Sequence, residues 1–136
     1  MGDEDFMRRA LEMAWRAREE DEVPVGSVIV FEDKIIGEGW NRPISAADPT
    51  AHAEIQAIRS AASHLKNYRL TGATLYVTLE PCEMCVGAMF HARIARVVYG
   101  ATDPKKQVLK NQAKIEGGVL AAECGRILSE FFAAKR

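Results

Sequence analysis

The 136-residue sequence contains only three cysteines, 7% aromatic residues and almost no net charge. Three cysteines, an odd number, argue against the disulfide framework of a small secreted protein. No run of about twenty apolar residues is present, so no membrane span is indicated. The acidic residues at 1–5 lack the apolar core of a secretory signal, and we expect a cytoplasmic protein. Because the formal net charge is −1, any contact with RNA must come from a local basic patch.

The length and the hydrophobic content of 48% are those of one globular domain spanning residues 1–136. Apolar spacing predicts helices at 6–20, 51–64, 82–91 and 119–134, and strands at 25–31, 34–40, 73–79, 95–101 and 113–116. Glu32 and Asp33 are expected to form a hairpin turn, which makes the first two strands antiparallel. Because the later strands alternate with helices, we expect an α/β protein with helices on both faces of one mixed sheet.

Four side chains with metal-binding or proton-transfer chemistry stand out in the middle of the chain. His52 and Glu54 lie two residues apart, and Cys82 and Cys85 follow in the run Pro81-Cys82-Glu83-Met84-Cys85. One imidazole and two thiols fill three corners of a zinc tetrahedron and leave the fourth for water, which is the ligand count of a catalytic zinc site. The carboxyl group of Glu54 then remains for moving protons.

The predicted helices restrict how these groups can meet. Cysteines three residues apart lie on one face of a helix, and the positive end of the helix dipole favours their thiolate form. Pro81 suits the first turn of that helix. Asp48 or Thr50 is the expected cap of the helix that carries His52. Residues two apart in mid-helix point to opposite sides, so His52 and Glu54 can share a site only near the helix end.

Each motif alone has a simpler interpretation. The cysteine pair also suits a redox pair or two buried thiols, the His-x-Glu pattern arises by chance, and Glu54 also suits a solvated helix carboxylate. In this order, and with proline before the first cysteine, the two motifs resemble the His-x-Glu and Pro-Cys-x-x-Cys signature of the zinc deaminases, and this resemblance implies a zinc site made of His52, Cys82 and Cys85. His64 and His91 are expected to lie outside this site, and Cys124 is expected to be a small core residue.

The sequence around these motifs resembles the bacterial tRNA-specific adenosine deaminases, which make inosine at the wobble position. The resemblance is dense from residue 6 to about 105 and resumes near Ile115; it rests on these stretches: Glu22-Val23-Pro24-Val25-Gly26, Gly37 through Ile44, Asp48 through Ile55, Asn67 through Leu70, Ala73 through Met89, His91 through Ile94 and Val97 through Ala101. The Asn-Arg-Pro-Ile and Leu-Glu-Pro-Cys segments distinguish it from cytidine and guanine deaminases, which share only the zinc motif. The resemblance implies a cytidine deaminase-like, three-layer α/β/α sandwich around a mixed five-stranded sheet, one Zn²⁺ per subunit and a two-fold homodimer.

The implied reaction is the hydrolytic deamination of adenosine in a tRNA anticodon loop. Zinc activates a water molecule that attacks C6 of adenine, and Glu54 carries a proton from that water to ring N1 and then to the departing ammonia. By the same resemblance, Asn41 hydrogen-bonds the nucleoside, Val25 lines the base pocket and the backbone N–H of Ala51 contacts the purine edge.

Two of the substrate positions have structural alternatives. Asp103 resembles a position that meets the sugar–phosphate next to the target, but it also suits an Asx turn before Pro104. Asn41 also suits a turn residue that caps its own loop.

The segment 104–114 departs from the family pattern. About a dozen residues of the family are absent here, and a basic stretch, Lys105, Lys106, Lys110 and Lys114, takes their place; it suits either a phosphate backbone or solvent. The shortened loop leaves open a deaminase, natural or engineered, that acts on adenine in single-stranded DNA or on a free nucleoside or base. A non-enzymatic homologue that binds nucleic acid through a structural zinc is disfavoured by Glu54, which such a site does not need.

Overall fold

A mixed five-stranded sheet with helices on both faces forms the centre of this computed structural model, which describes residues 1–103 and 114–135. The elements in chain order are α1 (Asp3–Glu19), β1 (Gly26–Phe31), β2 (Lys34–Trp40), α2 (Ala53–Leu65), β3 (Thr74–Leu79), α3 (Glu83–His91), β4 (Arg96–Ala101), β5 (Lys114–Glu116) and α4 (Ala121–Ala134). The strand order is β2-β1-β3-β4-β5. β1 pairs antiparallel with β2 and β3, whereas β4 pairs parallel with β3 and β5.

Alternating side chains of the central strands supply two separate cores. Ile29, Leu75, Val77 and Val97 pack with residues of α2 and α3 on one face. Val28, Val30, Tyr76 and Val98 pack with residues of α1 and with Cys124 of α4 on the other face. Because neighbouring strand residues point to opposite faces, near-continuous apolar strands of this kind require helices on both sides. The predicted three-layer α/β/α arrangement and mixed sheet are therefore confirmed.

The hairpin and the core cysteine were predicted correctly. Glu32 and Asp33 join β1 to β2, and both have positive φ, at 50° and 62°, as a two-residue turn of the primed type requires. Cys124 is fully buried. The short fifth strand is present at Lys114–Glu116, while residue 113, its predicted start, lies outside the described residues.

The predicted starts of three helices need correction. α1 begins three residues before the predicted position, with Gly2 as its N-cap, and the carboxylate of Asp5 accepts a hydrogen bond from the Gly2 N–H at 2.9 Å. α2 begins at Ala53 with His52 as N-cap, so neither Asp48 nor Thr50 caps it; Asp48 instead accepts from the Thr50 N–H at 2.8 Å. α4 begins at Ala121, two residues after its predicted start.

Two glycines of β2 allow α2 to approach the sheet closely. A Cβ atom on Gly39 would lie 2.5 Å from the Ala53 carbonyl oxygen and 2.5 Å from the Ala57 nitrogen. A Cβ atom on Gly37 would meet the backbone of Ala57 and Ala61 at similar distances. Because these are backbone atoms, side-chain movement cannot relieve the overlap. The two glycines therefore allow the first turns of α2, which begin directly after His52, to lie against β2.

We expect Gly39→Ala to lower the free energy of unfolding by about 2 kcal/mol or more, because the added methyl group pushes α2 away from β2. Urea unfolding of the purified proteins measures the change. Gly125→Ala is the matched control, since a Cβ atom there meets nothing within 4 Å inside α4. Replacing that helical glycine should stabilise by about 0.5–1 kcal/mol. Equal effects of the two substitutions would contradict the proposed close approach.

Candidate active site and metal centre

The strand register brings the candidate functional residues to one edge of the sheet, namely the one formed by the start of β1 and the last residues of β2, β3 and β4. Gly26 pairs with Trp40 and Leu79 pairs with Ala101, so the start of β1 lies at the same edge as the ends of β2, β3 and β4. The residues that follow these strand ends, or precede β1, are Val25, Asn41, Cys82 and Asp103. The chain that leaves β2 also leads to His52 and Glu54 at the start of α2. Segments distant in sequence therefore converge at this edge.

The three predicted metal ligands lie together at this edge. The Nδ1 atom of His52 is 3.6 Å from the Cys82 sulfur and 3.5 Å from the Cys85 sulfur. All three potential ligand atoms lie within 4.8 Å of one another. Among residues 1–103 and 114–135, this is the only group of three or more histidine, cysteine or acidic side chains arranged so that they could hold a metal ion.

The spacing of these atoms fits a zinc ion. A tetrahedral zinc with Zn–S bonds of about 2.3 Å and Zn–N bonds of about 2.0–2.1 Å places its sulfur and nitrogen ligands about 3.6 Å apart. The distances from His52 Nδ1 to the two sulfurs agree with this value. The donor set of two thiols and one imidazole is also one that zinc favours. Three protein ligands leave a fourth position for water or substrate.

The starts of two helices position these ligands. His52 is the N-cap of α2 and has extended backbone angles, φ −71° and ψ 155°. Cys82 is the N-cap of α3, with φ −84° and ψ 174°, so only Cys85 lies within the helix. Neither His52 nor Cys82 uses its side chain to cap its helix. Because His52 precedes the helical turn that contains Glu54, both side chains can serve one site, as the sequence required.

Cys85 is fully buried beside two other groups that can carry negative charge, Glu54 and Cys82. Burial raises the pKa of the Cys85 thiol far above its usual range, and the nearby Glu54 carboxylate and Cys82 sulfur raise it further. Reactive redox cysteines instead have a lowered pKa and partial exposure. A cation held by these residues would supply the positive charge that makes the thiolate favourable. The cysteines that the structure describes form no disulfide.

Glu54 is a buried carboxylate beside the candidate metal centre. Its residue exposure is 4%, although a glutamate in the first turn of a helix is usually solvated. Its carboxylate interacts with the Cys85 thiol and contributes to the raised pKa of that thiol. The alternative of a solvated helix carboxylate is therefore wrong. Burial next to a metal centre gives Glu54 the location that a proton-transfer group needs.

The predicted substrate residues lie at the same edge of the sheet. The Asn41 N–H donates to the Val25 carbonyl at 3.0 Å, so these two residues are direct neighbours. Val25 is 8% exposed and belongs to the core that contains Ala53 and Cys85. The Ala51 N–H donates to the Asp48 carbonyl at 3.1 Å, and a purine acceptor would share this donor. Their contacts with substrate stay predictions.

Asp103 is held at the end of β4 by an acidic side chain that sequence analysis did not single out. The Asp103 N–H donates to the Glu80 carboxylate at 2.9 Å, and the Glu80 N–H donates to the Ala101 carbonyl at 2.9 Å. Glu80 lies two residues before Cys82 in the segment Leu79-Glu80-Pro81-Cys82. This segment therefore connects the candidate metal centre to the predicted sugar–phosphate contact.

The basic stretch at Lys105, Lys106 and Lys110 lies outside the described residues, as does the side chain of Lys114.

The remaining histidines do not join the metal centre. His64 lies in the last turn of α2 and His91 ends α3, and both are exposed. The His91 ring packs edge to face against Phe90 with ring centroids 5.8 Å apart.

No helix in the described part of the chain combines the length and the apolar character that crossing a membrane demands.

Comparisons with known proteins agree with this site. Residues 1–101 match the family model described as cytidine and deoxycytidylate deaminase zinc-binding region. The chain is 49% identical to a tRNA-specific adenosine deaminase of Buchnera aphidicola subsp. Schizaphis graminum, over 98% of this chain and 96% of the relative. It is 48% identical to a tRNA-specific adenosine deaminase of Haemophilus influenzae, over 98% of this chain and 85% of that protein. The chain also resembles a solved structure from a study of A-to-I editing by tRNA:A34 deaminases, with a TM-score of 0.84 and 41% sequence identity. The match covers 91% of this chain and 99% of the chain in that structure.

The fold and the matched zinc-binding region define a zinc-dependent hydrolytic deaminase of the cytidine deaminase-like class. Within that class, the high identity over nearly the full length shows that the chain belongs to the tRNA-specific adenosine deaminase family. The alignment with the Buchnera relative extends over 145 positions, more than the 136 residues of this chain, so the relative contains residues that are absent here. This agrees with a chain that is shorter than its relative, and the location of the missing residues at 104–114 stays a prediction.

Proposed function

We propose that this protein deaminates adenosine to inosine at the wobble position of a tRNA anticodon loop. The observation that carries the proposal is the meeting of His52, Cys82 and Cys85 beside the buried carboxylate of Glu54. A structural zinc site needs a fourth protein ligand and has no use for a buried acid. The family relatives support adenosine in tRNA as the substrate.

His52, Cys82 and Cys85 would hold one zinc ion per subunit, and this ion would activate a water molecule at neutral pH. Glu54 takes a proton from this water and delivers it to N1 of the adenine ring while the water oxygen bonds to C6. Glu54 then moves the remaining proton of that oxygen to the amino nitrogen, the C6–N bond breaks, and the oxygen stays on C6 as the carbonyl of inosine. Water and adenosine are consumed, and inosine and ammonia are released. The burial of Glu54 excludes bulk water from these transfers.

The substrate contacts that we propose come from the same edge of the sheet. Asn41 offers both a donor and an acceptor to the nucleoside, and Val25 provides an apolar wall for the base. The Ala51 backbone contacts the purine edge, and Asp103 contacts the sugar–phosphate next to the target. The hydrogen bond from Asn41 to Val25 supports a shared role for these two residues.

An anticodon loop suits this arrangement because its bases are already unpaired. The reacting C6 of adenine is inaccessible inside a duplex, so the base must leave the stack before it can meet the zinc centre. Flipping a base from a single-stranded loop requires far less free energy than opening a helix.

We further propose that residues 1–136 act as one deaminase domain within a cytoplasmic two-fold homodimer. The cytoplasm is the location that a tRNA substrate implies. Met84 and Phe90 of α3 are 38% and 57% exposed, and they offer apolar surface for a second copy. Light scattering of the purified protein measures the mass, and a monomer at micromolar concentration would contradict the dimer.

A substrate panel tests the proposed function. We expect a stem-loop with wobble adenosine to be deaminated with a kcat/KM at least about a hundredfold above that of free adenosine, because contacts outside the base contribute binding energy in the transition state. Matched single-stranded DNA, cytidine and guanine complete the panel, with inosine, deoxyinosine, uridine and xanthine as the measured products. Conversion of the free nucleosides or guanine without the stem-loop would overturn the tRNA assignment. A preference for the DNA would identify single-stranded DNA as the substrate.

A further inference from the structure

Glu22 is a buried carboxylate outside the candidate metal centre. It lies between α1 and β1, and only 2% of its surface is exposed. Its two carboxylate oxygens accept hydrogen bonds from the backbone N–H groups of Ile44, at 3.3 Å, and Ser45, at 2.6 Å. Hydrogen bonds between a buried carboxylate and backbone N–H groups are stronger than those between neutral groups. Glu22 therefore holds the backbone of the loop at residues 41–50.

This loop carries proposed substrate contacts at both ends. Asn41 begins it, and Ala51 follows it directly before His52. The Arg42 N–H donates to the Ala51 carbonyl at 2.9 Å, so the two ends of the loop are joined to each other. The Asp48 N–H donates to the Pro43 carbonyl at 3.0 Å across the loop. These bonds join the chain on either side of Ile44 and Ser45, so the position of these two residues is linked to that of both loop ends.

The loop has little apolar packing of its own. Residues 44–47 are exposed, and Ile44 has 80% of its surface in solvent. Segments with few buried contacts depend on individual hydrogen bonds for their position. Glu20 adds a second connection, since its carboxylate accepts from the Trp40 indole and the Arg42 guanidinium at 2.9 Å each. Glu20 is exposed, so solvent weakens its ion pair, whereas the Glu22 side chain is buried and its two hydrogen bonds are partly buried.

We propose that Glu22 is a positioning residue, which acts through the backbone of Ile44 and Ser45 to place Asn41 and Ala51 against the nucleoside. It does not touch the reacting atoms. The proposal rests on the proposed function for the identity of the substrate, but the mechanical role of Glu22 has a separate measurement.

Glu22→Gln is the informative substitution because it preserves size and replaces one acceptor with an NH2 donor. That donor faces a backbone N–H that is also a donor, so one of the two hydrogen bonds is lost and the loop shifts. We expect kcat/KM for the wobble stem-loop to fall about tenfold to a hundredfold, mainly through KM, since a displacement of about 1 Å has effects of this size. The zinc content should stay at one per subunit. Glu19→Gln, an exposed carboxylate at the end of α1, is the matched control and should leave both constants unchanged.

A double-mutant cycle separates positioning from stability. If Glu22 acts through Asn41, the combined loss in Glu22→Gln/Asn41→Ala should be clearly smaller than the product of the two single losses. Glu22→Asp retains both acceptors on a shorter side chain, so its kcat/KM should lie between those of the wild type and Glu22→Gln. A Glu22→Gln protein that has a lower melting temperature but unchanged kcat and KM per bound zinc would overturn the proposal. Losses that multiply fully would also overturn it.

Hydrogen exchange tests the role of Glu22 without any substrate. Amides in a peptide covering residues 41–51 should exchange at least about tenfold faster in Glu22→Gln than in the wild type, because the opening free energy of the loop decreases. Unchanged exchange in this peptide would contradict the proposal even if the stem-loop is converted. Faster exchange together with an inactive wild-type protein would instead contradict the proposed function and leave the role of Glu22 supported.

Discussion

Glu54→Ala is expected to retain its zinc and to lose deamination activity by about a thousandfold or more. Removing a general acid–base group usually costs about 10²–10⁴-fold in rate. The upper part of this range applies because we assign Glu54 two proton transfers, one to the ring and one to the leaving group. The side chain is not among the three proposed ligands, so the metal centre should survive. Single-turnover deamination of the stem-loop and zinc analysis of the same preparation measure the two effects together.

Two further variants identify the cause of this loss. Glu54→Gln preserves the size and the burial of the side chain but cannot carry the proton, so it should be almost as inactive as Glu54→Ala. Glu83→Ala removes an exposed carboxylate in the first turn of α3, next to Cys82, and should change the rate less than about threefold. A Glu54→Ala protein with full zinc and normal deamination would show that Glu54 has no catalytic role.

Cys82→Ser and Cys85→Ser are each expected to reduce bound zinc from one per subunit to less than about a tenth and to abolish measurable deamination. A serine hydroxyl stays protonated near neutral pH and is a poor ligand for zinc. With His52 and a single sulfur left, too few donors remain to retain the ion during dialysis. Zinc per subunit after exhaustive dialysis is the direct measurement. We also expect a lower melting temperature, since metal binding stabilises the folded state by mass action.

The third cysteine supplies the control for the zinc experiment. Cys124 is fully buried on the opposite face of the sheet, where its sulfur packs against Gly100. Cys124→Ala should therefore lose about 1 kcal/mol of stability through reduced packing and retain both zinc and activity. Loss of zinc from Cys124→Ala, or full zinc in Cys82→Ser or Cys85→Ser, would contradict the proposed ligand set.

The sequence predicted the elements and the metal cluster well, because both depend on patterns that are local or tied to one chemistry. Apolar runs specified the strands of a sheet covered on both faces, and the zinc motif specified which side chains had to meet. The strand order and register were not predicted. These depend on which strands pair across long stretches of chain, such as β1 between β2 and β3. That pairing is what brings Val25, Asn41 and Asp103 to one edge.

The errors at the start of α2 have a tertiary cause. Thr50 through His52 stay out of the helix because the Ala51 carbonyl accepts from Arg42 and the Ala51 N–H donates to Asp48. Local capping preferences favoured an earlier start and contained no information on these bonds.

Glu22 was missed for a related reason. A glutamate after the end of a helix is normally solvated, whereas here it is buried and accepts hydrogen bonds from the loop at residues 41–50.

X-ray absorption at the zinc K-edge of the purified protein tests the central claim most directly. A catalytic centre formed by His52, Cys82 and Cys85 predicts two sulfur ligands at about 2.3 Å and two nitrogen or oxygen ligands at about 2.0–2.1 Å, one of them exchangeable water. Four protein ligands around the zinc, or a purified protein that contains no zinc and has Cys82 joined to Cys85 by a disulfide, would contradict the account.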